Sequence, residues 1–146
     1  MEAKRNINQN VVVGISHGDY NGVGYEVILK TFEDKRMFDF STNVLYGSSE
    51  IANFFLSNLE LPNYGLHLVK DSSKLNPTKL NVLDIDYKSS KVELGISSKK
   101  AGEMALLSLE KAVEDLKRNK INVLVTAPIN KDNIQSTKFK FSGHTA

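Results

Sequence analysis

Residues 99–120 constrain the fold more than any other stretch of the chain. Ala101, Met104, Ala105, Ser108, Leu109, Ala112, Val113 and Leu116 recur at three- and four-residue steps, which puts them on one broad helical face. Glu114 and Arg118 stand at the favourable i,i+4 spacing, and Lys117, Arg118 and Lys120 gather where the helix dipole is negative. Ile121 to Val125 then reads as a buried β-branched strand. A one-faced helix running directly into an apolar strand calls for a sheet to cover.

The rest of the chain repeats that alternation. Val11 to Ile15 is a β-branched run bounded by polar residues, as expected for a strand buried on both faces. Ser16 to Gly24 is a glycine-rich turn, and Tyr25 to Phe32 has a helical apolar pattern at Val27, Ile28 and Phe32. Val44 to Tyr46 is a short strand. Ser48 or Ser49 caps a helix with apolar positions Ile51, Phe54, Phe55 and Leu59, and Pro62 helps to end it. Leu66 to Val69 and Val82 to Ile85 are further strands, with a polar loop over Asp71 to Lys79 between them. The pattern predicts an α/β protein with a mainly parallel, twisted sheet and flanking helices, in one continuous piece over residues 1–146.

Composition narrows the class of partner. Nineteen Lys and Arg against 17 Asp and Glu give a net charge of +2, too weak a field to favour nucleic acid. The lysines are scattered and do not alternate with aromatic residues. Without cysteine there are no disulfides, thiolate nucleophiles or Cys-ligated zinc. No apolar run approaches the roughly 20 residues of a membrane span, and the polar first ten residues lack a signal core. A cytoplasmic protein is expected.

Three segments could carry chemistry. In Gly14 to Glu26, Gly18, Gly22 and Gly24 suit either a tight strand-to-helix bend or a cradle for an anion. Neither the dinucleotide fingerprint nor the phosphate loop is complete there, and Asp19 and Glu26 are read equally well as cap or dipole partners. In Thr126 to Lys131, Pro128 forces a turn beyond the strand, Asn130 is placed to cap a following helix, and Lys131 can face an anion. Gly143-His144-Thr145 offers an imidazole and a hydroxyl. His17 reads as a polar cap, and His67 as a solvent-facing strand residue. The three histidines lack metal-ligand spacing, so no metal site is expected within the chain.

Taken together, four motifs in order resemble the PdxA family, the 4-hydroxythreonine-4-phosphate dehydrogenases of vitamin B6 biosynthesis. They are Gly18-Asp-Tyr-Asn-Gly-Val-Gly-Tyr-Glu26, Gly95-Ile-Ser-Ser-Lys-Lys-Ala-Gly102, Val125-Thr-Ala-Pro-Ile-Asn-Lys131 and Phe141-Ser-Gly-His-Thr145. Tyr20, Asn21 and Tyr25 stand where the family has Pro, Ala and Pro, and Ala146 stands where it has an acidic residue. The resemblance implies an isocitrate/isopropylmalate dehydrogenase-like fold, of which residues 1–146 form the N-terminal part.

It also implies NAD-dependent oxidation of 4-phosphohydroxy-L-threonine with subsequent decarboxylation, on the route to pyridoxal 5'-phosphate. His144, Thr145, Lys131 and Asn130 are the implied substrate contacts. A divalent metal (Zn, Mg or Co) and most NAD contacts belong to residues outside this chain, and a homodimer is expected. By itself the chain is therefore expected to have no turnover. The alternatives are a dehydrogenase of phosphothreonate or phosphoerythronate type, a non-catalytic module that binds a ligand or partner, and a self-contained phosphate-binding domain.

Overall fold

The structure is a computed structural model, and it describes residues 11–61, 64–85 and 92–130. The elements are β1 (Val12–Ser16), α1 (Gly24–Thr31), a 3-10 turn (Lys35–Asp39), β2 (Thr42–Gly47), α2 (Ser49–Asn58), β3 (Leu66–Val69), β4 (Leu80–Asp84), α3 (Lys99–Lys117) and β5 (Val123–Thr126). All five strands are parallel, in the order β3-β4-β2-β1-β5. The predicted class is correct.

Alternating side chains divide the core between the two faces of the sheet. Ile15, Leu45 and Val82 pack against Ile28 and Leu29 of α1, Phe32 just after it, and Ile51, Ala52 and Phe55 of α2. Val44, Tyr46 and Leu83 point the other way, to Ala112 and Ile121. The 70–79 loop helps to cover this second face through Leu75. Ala101 and Met104, at the start of α3, instead join the first cluster.

Local chemistry sets where the helices begin and end. Ser48 Oγ accepts the Ile51 N–H at 3.2 Å, and Ser98 Oγ accepts that of Ala101 at 3.1 Å. Ser48→Ala is expected to cost about 1 kcal/mol, read as a lower urea midpoint at unchanged slope. The Lys99 to Lys120 pattern overruns α3 by three residues, because Asn119 turns left-handed (φ 60°). There the Lys120 N–H returns to the Asp115 carbonyl at 2.8 Å and that of Asn119 to Leu116 at 3.1 Å. Such a closure satisfies the orphan carbonyls of the last turn. Glu60 (φ 53°) ends α2 in the same way, ahead of Pro62, which lies outside the described residues.

Several expectations are corrected. Val27 and Phe54 are 54% and 41% exposed although both fell on apolar helical positions, because the sheet reaches neither. In edge strand β3, His67 is half-buried and Leu68 is the exposed residue. Strand β5 is not buried on both sides: Val123 and Val125 are 45% and 48% exposed, since α3 covers only one face and β1 only one edge. Leu124 packs inward instead. Strand β4 begins at Leu80, two residues ahead of the predicted start.

Two polar residues of α3 lie inside its apolar face. Ser108 Oγ donates to the Tyr46 carbonyl at 2.6 Å and accepts the His17 N–H at 3.1 Å, tying the ends of β1 and β2 to the helix. Asp115, 1% exposed, accepts from Tyr46 Oη at 2.8 Å and Ser72 Oγ at 3.2 Å, with Lys111 Nζ 3.7 Å away. Burial and that carboxylate together hold the Tyr46 phenol protonated far above its ordinary range.

Candidate functional site

The connections leave β1 and β5 on opposite faces, so the carboxyl ends of these two strands form the switch point of the sheet. Ligands of open parallel sheets bind at such a point. The glycine turn and the segment that leaves β5 meet here. The Ala127 N–H donates to the Ser16 carbonyl at 3.0 Å, and the Asp19 N–H donates to the Pro128 carbonyl at 3.0 Å. Beyond β5 residues 127–130 take no regular structure, with no turn at Pro128, and Asn130 is half-buried. Of the four expected substrate contacts, Asn130 alone is among the described residues. Lys131, His144 and Thr145 lie outside them.

The glycine turn resolves as a tight bend and not as an anion cradle. Gly18 is left-handed (φ 71°), and a Cβ there would overlap the Pro128 carbonyl oxygen. A Cβ on Gly24 would overlap the His17 carbonyl oxygen. The spaces these glycines leave are filled by the chain's own carbonyls, which repel an anion. Val23 at the start of α1 makes no side-chain cap. Glu26 in its first turn is paired with Lys30 at 2.7 Å.

Sequence reasoning missed how the altered turn residues are accommodated. Tyr20 and Tyr25 are core residues, 1% and 0% exposed. Tyr25 stacks on Phe55 at 5.5 Å and accepts the Ser48 N–H at 3.1 Å. Its phenol is pushed well above its ordinary range, first by burial. His17, expected as a polar cap, is fully buried with its ring 5.1 Å from that of Tyr25. Burial lowers its imidazole to about 4, so it is neutral at pH 7. Asn21, also unforeseen, binds the 93–98 loop through its side chain.

The charged groups near this edge include Asp84 and the lysines that open α3. Asp84, exposed, accepts from Ser49 N–H at 3.1 Å and Ser49 Oγ at 2.7 Å. Lys99 and Lys100 begin α3. Among the described residues no three His, Asp or Glu side chains assemble as a metal site. Those residues do not fit a divalent metal or a dinucleotide phosphate.

Two cavities fit a phosphorylated substrate no better. A groove of about 380 Å³ between α1 and β5, bordered by Val27, Ile28, Val125 and Pro128, has no charged lining residue. One of about 580 Å³ has Lys35 and Lys79, but it opens at the amino end of the sheet beside Gly65 and Leu80. No helix among the described residues is long and apolar enough to cross a membrane.

A five-stranded parallel sheet, flanked by helices and with its polar turns gathered at the carboxyl edge, defines an α/β protein of the kind that binds small ligands there. The chain belongs to the family of the pyridoxal phosphate biosynthetic protein PdxA, whose model matches residues 39–146. It is 42% identical over 133 residues to a 4-hydroxythreonine-4-phosphate dehydrogenase of Bacteroides thetaiotaomicron, covering 91% of this chain and 36% of the relative. It is 25% identical over 146 residues to a Clostridium botulinum protein provisionally named a D-threonate 4-phosphate dehydrogenase (95% and 42% covered). The crystal structure of a 4-hydroxythreonine-4-phosphate dehydrogenase from Burkholderia phymatum superposes with a TM-score of 0.84 at 25% identity, over 92% of this chain and 41% of that one. The chain thus spans about two-fifths of the length of the relatives it matches.

Proposed function

We propose that this chain supplies the N-terminal part of an NAD-dependent, metal-assisted dehydrogenase. Its substrate is 4-phosphohydroxy-L-threonine, oxidised and then decarboxylated on the route to pyridoxal 5'-phosphate. Asn130, Lys131, His144 and Thr145 contact the substrate, while the metal and most of NAD are held by residues outside this chain. The working unit is a cytoplasmic homodimer. One observation carries the reading: the family match runs through the segment that leaves β5 at the switch point and on through all four residues. Their chemistry suits the substrate, since Lys131 is a cation for phosphate or carboxylate and the other three supply hydrogen-bond donors. The name of the Clostridium relative favours a second substrate, D-threonate 4-phosphate.

Nuclear magnetic resonance titration tests both. Addition of 4-phosphohydroxy-L-threonine is expected to shift the resonances of Asn130, Lys131, His144 and Thr145, and Lys131→Ala to weaken binding at least tenfold. No NADH should form with the chain alone. Tighter binding of D-threonate 4-phosphate selects the second substrate, and no shift with either compound rejects the reading.

A further inference from the structure

We infer that Asn21 is a positioning residue for the substrate pocket proposed above, an inference that rests on that reading. Asn21 is 2% exposed in the turn after β1, and its side chain is saturated by partners 72 to 77 positions downstream. Oδ1 accepts the Glu93 N–H at 2.6 Å. Nδ2 donates to the Ile96 carbonyl at 3.0 Å and to Ser98 Oγ at 3.4 Å. The Asn21 carbonyl accepts the Gly95 N–H at 2.9 Å. Among the described residues, every hydrogen bond that joins Glu93, Gly95 and Ile96 to another part of the molecule ends on Asn21. The loop has little apolar anchorage of its own, because Leu94 and Ile96 are 62% and 53% exposed.

The other side of Asn21 faces the switch point. Its N–H donates to Asp19 Oδ1 at 2.9 Å, and the Asp19 N–H holds the Pro128 carbonyl. Asn21 therefore joins three segments at the carboxyl edge: its side-chain amide holds the loop that opens α3, and its backbone N–H holds Asp19 of the glycine turn, whose own N–H holds Pro128 on the way to Asn130. The residue type matters. An amide offers an acceptor and two donors without charge, whereas an aspartate loses both donors and adds a negative charge beside a pocket for an anion.

Asn21→Ala and Asn21→Asp in the 146-residue chain test the latch. Hydrogen exchange at Asp19 and Ala127 is expected to quicken at least tenfold relative to Leu45 and Val82 inside the sheet. Affinity for 4-phosphohydroxy-L-threonine should fall at least tenfold. Ser48→Ala removes the cap of α2 and touches none of the bonds to Asn21, so it should lower Tm and leave that affinity unchanged. Faster exchange confined to residues 93–98, with affinity retained, overturns the inference and leaves the proposed function standing. If the unaltered chain binds no substrate, the proposed function falls, and exchange at Asp19 and Ala127 still decides the latch. Should Asn21→Ala not fold, unchanged exchange at those two amides in a folded Asn21→Asp overturns it.

Discussion

Gly18→Ala is expected to destabilise the chain by about 3 kcal/mol or more, a large part of the 5–15 kcal/mol that holds a typical domain. Two costs combine. A left-handed φ of 71° strains any residue with a Cβ. That Cβ would also overlap the Pro128 carbonyl oxygen and lie 2.9 Å from its carbon. The obstruction is backbone, pinned by the N–H groups of Asp19 and Ala127, so no rotamer change can relieve it. Gly22 is an internal control, because its added Cβ would come no closer than 3.4 Å to the Asp19 carbonyl oxygen, and its φ is not left-handed. Gly22→Ala should stay within about 0.5 kcal/mol of the original. Urea unfolding measures both, and equal losses for the two substitutions would refute the close approach of the two segments.

These glycines mark where sequence reasoning reached its limit. A Gly-rich bend after a strand is plain in the residues, but whether it encloses a ligand or the chain's own carbonyls depends on β5, more than a hundred residues later. The helices were legible because periodicity and serine caps are local. Their ends were less so, since the left-handed closures at Glu60 and Asn119 need no glycine and leave no compositional mark. Exposure of Val123 and Val125 was hidden as well, because a β-branched run reads the same in the centre of a sheet and at its edge.

Polar residues inside the fold were the hardest to read. Ser108 counted as a small member of an apolar stripe, although its hydroxyl joins the ends of β1 and β2. Asp115 is no member of that stripe, yet it is 1% exposed. Its partners Tyr46 and Ser72 come from a strand and a loop that the topology alone brings together. The candidate site was legible as an ordered set of motifs, yet of its four residues the geometry reaches only Asn130.

Acidification from pH 7 to pH 4 is expected to remove roughly 3 kcal/mol of stability through His17 alone. The imidazole titrates near 6.5 when unfolded and near 4 when buried in the fold. Between those values the unfolded chain binds a proton that the native one refuses, so stability falls as pH falls through this window. Below about 4 both states are protonated and the loss is complete. Burial is the larger cause, and a hydrogen bond with the Gly18 backbone partly opposes it. Tyr25 sets its ring at a tilt against that of His17 and is itself held protonated by burial. The depressed carboxyls of Asp34 and Asp71 titrate lower and act below this window. Urea unfolding at intervals from pH 7 to 4 should show a slope that is shallow near pH 7 and steepens, midway between the two titration points, toward about 1.4 kcal/mol per pH unit, which is the uptake of one proton. His17→Gln should be weaker at pH 7 and nearly level across the same range. A level profile for the unaltered protein would mean that water reaches the ring and that the turn between β1 and α1 is more open than this packing allows.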